Sequence, residues 1–382
     1  MSRIPFIHAR FPKPDDNEQA LAGRLRKHLS ELRLRAQQRE ANVVPNETAA
    51  GSSSAASLAD EPVLGDDLGM DWLSPAELSH KDRRRIDRRA ACLSKARRAA
   101  TGVAHLKKED LEKLAVLRDG VRLGRIENEH RADELAASLH AEFPWLSAAT
   151  EQVWHAMRRS VREGWPGFRL PPLLLDGPPG IGKSVWAREL GRLIGVPSMV
   201  VEATNESASF GVVGSQRGWN NAAPGRVLQT IMQSRVGNPI VIIDEVEKAG
   251  SVHSSNGRSF DLTTSLLPLL ESATAGNWSC PFFEVRFDMG WIGWVMTSND
   301  YRQLPAPLLS RCPPLKLRPP SLEELIDFGL QQGGKRGISE PSSEAMVETL
   351  RRASLHTSQI SLRTVIRMLD LAERLEAGPV TQ

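Results

Sequence analysis

A chain of 382 residues with 40% apolar and 25% charged residues has the composition of a globular protein of two or three domains. Its net charge of +3 excludes a uniform polycation, and three widely spaced cysteines, Cys92, Cys280 and Cys312, exclude a disulfide framework and a Cys-x-x-Cys metal site. No apolar run nears the length of a membrane span and the first residues lack an apolar core of leader length, so a reducing, cytoplasmic setting without membrane contact is expected.

Residues 1–17 read as irregular. Residues 18–41 predict a basic packing or partner helix, with Leu21, Leu25, Leu29 and Leu32 on one face. Residues 42–68 are low-complexity linker ending in an acidic patch, so 1–68 form a first, largely disordered segment. A helix start follows at Ser74 and Pro75. Residues 81–108 hold eleven Lys or Arg against Asp82 and Asp87. Such a stretch is either a solvated or protein-contacting face or a phosphate-binding one, and it lacks interleaved aromatics. With Leu106, Leu111, Leu114 and Leu117 it makes a basic helical segment, 69–130.

From residue 131 the texture changes. Helices are predicted over 132–140 and 148–161, and strands at 173–175, 196–202, 239–245 and 291–297. Strands separated by helical runs imply a parallel sheet covered by helices on both faces, an α/β domain over 131–318. After Pro319 and Pro320 the pattern is helical at 321–332, 342–354 and 362–375, which makes 319–382 a helical lid. Ser321 and Glu324 form a capping-box start.

Between the first α/β strand and its helix stand Gly177, Pro178, Pro179, Gly180, Ile181, Gly182, Lys183 and Ser184. The pattern G-x-x-x-x-G-K-[ST] is a phosphate-binding loop: glycines let the backbone wrap a phosphate chain, Lys183 reaches the β- and γ-phosphates, and Ser184 can ligate Mg²⁺. Asp244 and Glu245 end an apolar strand 61 residues after Lys183. An aspartate there holds Mg²⁺, and the glutamate can take a proton from an attacking water. Asn299 follows the next strand and can help position that water. Arg311, in a proline-flanked loop, can reach a neighbouring subunit's γ-phosphate, and Arg363 opens the last helix.

The ordered set Lys183, Asp244–Glu245, Asn299, Arg311 and Arg363 resembles the AAA+ ATPases over about residues 131–375, where these stations correspond to Walker A, Walker B, sensor 1, the arginine finger and sensor 2. Within that class the chain is most similar to the ATPase module of Lon proteases. Gly214 to Arg226 looks like the Lon stretch that carries an aromatic pore loop and runs into Pro-Gly-Arg. The stretches Asn238 to Lys248, Leu266 to Glu271 and Leu304 to Arg311 also match. The resemblance implies Trp219 as the pore-loop residue that grips a polypeptide, and Trp278 near a second pore loop. The alternative for each tryptophan is a place in the core.

Two departures accompany the likeness. The sequence ends 19 residues after Arg363, so no peptidase is expected of it, and Asn220 stands where Lon has an aliphatic residue. The resemblance therefore implies an ATP- and Mg²⁺-dependent homo-oligomer, a hexameric ring, that remodels, unfolds or disassembles a protein, with or without a separate protease or effector. Two alternatives stay open. One is a nucleic-acid motor or loader using residues 81–108, and the other is an ATP-switched scaffold that seldom hydrolyses.

Overall fold

The computed structural model describes residues 3–41, 78–204, 208–218, 222–249, 251–253, 259–356 and 360–378. Contacts divide them into two units, Arg10–His105 and a larger one of Met1–Ala9 with Leu106–Gln382.

In the smaller unit, α1 (Glu18–Ala41) and α2 (His80–Ala99) pair. Leu21, Leu25 and Leu29 pack on Ile86, Ala90 and Leu93. Ion pairs run along the seam: Asp16 with Arg97 at 2.5 Å, Arg26 with Asp87 at 2.7 Å and Arg33 with Asp82 at 2.6 Å. Their order makes the hairpin antiparallel. Ser79 caps α2 in a reciprocal capping box with Asp82. The helix start expected at Ser74 and the linker 42–68 lie outside the described residues. Leu32, expected on the packed face, is instead 46% exposed, and the packed set is Leu21, Leu25 and Leu29.

This pairing corrects the expected segments. The helices assigned to 1–68 and 69–130 share one small core, and residues 106–130 belong to the other unit. The first residues, expected to be irregular, are also structured. Phe6 is buried against Phe287, Ile4 bridges to Val121 and Ile7 to Phe287. Burial of one large aromatic is enough to fix so short a segment.

The larger unit begins with α3 (Lys108–Ala115), α4 (Glu129–Glu142) and α5 (Ser147–Arg162). The α/β part follows as β1 (Leu173–Asp176), α6 (Lys183–Ile194), β2 (Ser198–Glu202), α7 (Ala208–Val213), α8 (Arg226–Ser234) and β3 (Ile240–Asp244). A hairpin of β4 (Ser251–His253) and β5 (Ser259–Asp261) leads to α9 (Leu262–Leu270) and α10 (Ser272–Ala275). A second hairpin, β6 (Trp278–Ser279) and β7 (Arg286–Phe287), precedes β8 (Gly293–Ser298), α11 (Ala306–Arg311) and β9 (Pro314–Lys316). Three helices close the chain, α12 (Leu322–Arg336), α13 (Glu340–His356) and α14 (Leu362–Ala377).

Five strands form one parallel sheet in the order β2-β3-β8-β1-β9. All of β8 and the first four residues of β3 are buried, as strands covered on both faces require. The strand β9 was not among the expected ones, and Pro314 confines it to the sheet edge. The register sets Ile243 beside Met296 and Leu175 beside Thr297, so the carboxyl ends of β3, β8 and β1 open side by side. Ligands bind at that end of a parallel sheet. The α/β core with a helical carboxyl-terminal region is thus the fold. No helix among the described residues is long and apolar enough to cross a membrane.

The terminal helices join the same core as α4 and α5. Leu325, Met346, Leu350, Val365 and Leu369 pack together, and Phe328 meets Trp145 edge-on with ring centroids 6.1 Å apart. This contact places α12 and α14 over the loop that follows β1.

Candidate active site

The loop from Gly177 to Gly182 turns out of β1 and feeds directly into α6. Gly180 and Gly182 have φ of +80° and +87°, a conformation that costs an L side chain roughly 1–2 kcal/mol. A Cβ at Gly182 would also sit 3.1 Å from Leu362 of α14. The loop is braced from below, where the buried Trp145 indole donates to the Ile181 carbonyl at 2.8 Å. Nothing in the sequence pattern marks Trp145 for this role.

Lys183, the first residue of α6, is 7% exposed. Its ammonium donates to the Gly177 carbonyl at 2.6 Å, the Pro178 carbonyl at 3.1 Å and Asn299 Oδ1 at 3.0 Å. Burial pulls its pKa below the ordinary lysine value, and the carboxylates of Glu247, Asp176, Asp244 and Glu245 oppose that shift. The cation is therefore held inside an acidic ring and aimed at the loop that would wrap phosphates.

Ser184 Oγ donates to Asp244 Oδ1 at 2.7 Å. Thr297 Oγ1 donates to the same oxygen at 2.5 Å and accepts the Glu245 N–H at 3.0 Å. Glu245 itself lies in the left-handed region, with φ of +54°. Its carboxylate accepts from Asn299 Nδ2 at 3.2 Å and from Lys248 Nζ at 2.8 Å. The Asn299 N–H in turn donates to Glu247 Oε1 at 3.0 Å, and Glu247 Oε2 is buried with no partner among the described residues. One side chain, Asn299, thus joins Lys183 to Glu245.

These groups line a cavity of about 240 Å³ whose other wall comes from α14 and α12. The apolar part is made by Phe143, Val185, Phe328, Leu362 and Ile366. Val185 and Ile366 are 50% and 36% exposed, which leaves apolar surface suited to a nucleobase. Arg363 lines the same cavity, and its Cδ lies 3.8 Å from the position of a Cβ on Gly180.

A nucleotide fits this donor set: loop backbone, buried ammonium and apolar flank stand at one strand end. Mg²⁺ fits as well. It keeps several waters and takes one or two protein oxygens plus phosphate oxygens, which Ser184 and Asp244 can provide.

Residues 173–317 match the model of the ATPase family associated with various cellular activities (AAA). These residues form an AAA ATPase domain. The AAA match runs from β1 to the residue after β9, so it contains the loop, Asp244, Glu245, Asn299 and Arg311. The chain is also similar to curated Lon proteases. It is 28% identical over 208 residues to "Lon protease homolog 2, peroxisomal" of Pichia angusta, covering 53% of this chain and 22% of that one. It is 27% identical over 216 residues to the Lon protease of Desulfovibrio desulfuricans, 55% and 24% respectively. For the Lon protease of Koribacter versatilis the figures are 26% over 232 residues, 57% and 28%. The chain therefore spans about a quarter of the length of these relatives. The likeness is to a Lon-like AAA module, and the AAA domain is that of an ATPase.

Two expected residues stand apart from the cavity. Arg311 ends α11, outside the cavity lining, and donates to the Pro307 carbonyl at 3.1 Å and to Glu271 at 3.4 Å. Trp278 is 8% exposed and pairs with Phe287 across the β6–β7 hairpin. This corrects its assignment to a pore loop, because pairing with β7 turns the indole into the core instead of presenting it on a loop. Trp219 lies outside the described residues.

Thr297 is the main residue that the sequence pattern missed. Its hydroxyl fixes both an Asp244 oxygen and the Glu245 backbone. Thr297→Val should keep the fold and lower ATP turnover by about 10–100-fold, the usual effect of removing an outer-shell partner. Steady-state phosphate release measured alongside nucleotide affinity checks this, with the loss expected in kcat.

Proposed function

We propose that this chain hydrolyses ATP with Mg²⁺ in an oligomeric ring, a hexamer, and uses the energy to remodel, unfold or disassemble a protein. The observation that carries the reading is the single hydrogen-bonded path Lys183–Asn299–Glu245, set beside Ser184–Asp244–Thr297 in one cavity. Ser184 and Asp244 would hold Mg²⁺, which would supply neutralisation of phosphate charge. Lys183 exchanges its loop carbonyls for phosphate oxygens. Glu245 accepts a proton from water, held in orientation by the Asn299 amide. Arg363 reports occupancy to α14, which carries it.

Arg311 serves a neighbouring copy's site in this reading, and Trp219 provides the polypeptide-gripping aromatic. Arg217, two residues before Trp219, supports a fixed stem for that segment. It is anchored to Asp110 at 2.7 Å and donates to the Phe282 carbonyl at 3.2 Å. Three free thiols, two of them buried, agree with a cytoplasmic setting.

The test is phosphate release by the purified chain, with and without a permanently unfolded polypeptide. Turnover should rise several-fold when the polypeptide is added, and Trp219→Ala should remove the rise while sparing basal turnover. Basal hydrolysis indifferent to any unfolded protein would leave the ATPase and remove the remodelling role.

A further inference from the structure

The smaller unit carries a surface that ATP hydrolysis does not use. The 20-residue α2 contains two acidic residues, Asp82 and Asp87, and both are engaged by arginines of α1. On the side of α2 away from the Ile86–Ala90 seam lie Lys81, Arg84, Arg85, Arg88 and Lys95, all exposed and none in an ion pair among the described residues. Their spacings of three, four, seven and fourteen residues from Lys81 put them on one helical stripe. At 1.5 Å per residue the stripe is about 21 Å long. Each strand of a nucleic-acid duplex carries a charge every ~3.4 Å along the axis, so about six phosphates face five cations.

We propose that this stripe binds the phosphate backbone of duplex nucleic acid without reading its sequence. Pairing of Asp82 and Asp87 with α1 is what makes the outer face uniformly positive. The helix has no Phe, Trp or Tyr to stack on bases, so contact is with the backbone. A membrane surface is disfavoured because the apolar face of α2 is already spent on α1. A protein partner would have to sustain acidic side chains at the same density against their mutual repulsion, whereas a duplex has that charge density by construction.

The experiment is fluorescence anisotropy of a labelled duplex of about 20 base pairs with the full chain, over a series of salt concentrations. Five phosphate contacts predict a slope of log K against log salt of about −4.5, hence ~500-fold weaker binding at 200 mM than at 50 mM salt. Arg84→Gln/Arg85→Gln/Arg88→Gln should flatten the slope to about −2, equally for duplexes of unrelated sequence. Lysine at the same three positions should restore it, since lysine also serves as a point charge to phosphate. A fluorophore on Cys92, the exposed thiol within the stripe, should respond to the duplex. Absence of binding at 50 mM salt, an unchanged slope in the glutamine variant, or tighter binding of poly-glutamate than of duplex would each overturn the proposal. The last result would give the surface to an acidic protein.

Discussion

Glu245→Gln is expected to bind ATP about as well as the parent chain and to lose roughly 10²–10⁴ of its turnover, the range that a positioned general base contributes. The substitution is nearly isosteric. A glutamine Oε1 can still accept from Asn299 Nδ2, so the path to Lys183 survives. What disappears is the ability to take a proton and the charge that Lys248 meets at 2.8 Å. Lys183→Ala should show the opposite pattern. It removes a buried cation that stands among Glu247, Asp176, Asp244 and Glu245, and the remaining carboxylates then repel a triphosphate. Losing one or two charge-assisted hydrogen bonds at about 1.5–3 kcal/mol each predicts nucleotide binding weaker by roughly 10–10⁴-fold. Titration of a fluorescent ATP analogue separates the two variants, and phosphate release gives the rates. Near-parental turnover in Glu245→Gln would remove it as the base and point to Glu247, whose buried Oε2 has no partner among the described residues.

The contrast between these variants follows what was legible in the chain. The phosphate loop and Asp244–Glu245 are local: eight contiguous residues in one case and a strand end in the other. Each declares itself without knowledge of the fold. Thr297 does not, because its role exists only through the register that sets β8 beside β3 and brings its hydroxyl to Asp244. Trp145 braces Ile181 across 36 residues, and nothing in Phe143-Pro-Trp announces that contact. Trp278 was open to two readings for the same reason, since burial depends on its pairing with Phe287. The hairpin of α1 and α2 was hidden by the residues between its helices. Each helix reads as basic and amphipathic alone, and only their pairing shows which acids are consumed. The edge strand β9 is three residues beside prolines, too short for a period of two to register.

Arg311→Ala should leave nucleotide affinity almost unchanged and reduce turnover by about 10³-fold or more, the scale of an arginine that stabilises charge on the transferred group. The prediction rests on where the side chain is. Arg363 lines the cavity of its own chain, whereas Arg311 ends α11 outside that lining, is about one-third exposed and, among the described residues, is tied to Glu271 and its own helix. An arginine so placed is available to a second copy, as the proposed ring requires, and a head-to-tail arrangement of copies makes a ring where its rotation closes. Mixing supplies the decisive measurement. Neither Arg311→Ala nor Glu245→Gln turns over alone, but in mixed rings an intact Arg311 from the second variant can face an intact Glu245 from the first. Random equimolar assembly gives that pairing at about one site in four, so turnover should recover to roughly a quarter of the parental rate. Recovery that depends on subunit exchange would establish action between copies. If Arg311→Ala hydrolyses ATP at the parental rate, the residue is a surface partner of Glu271 and the site is complete within one chain.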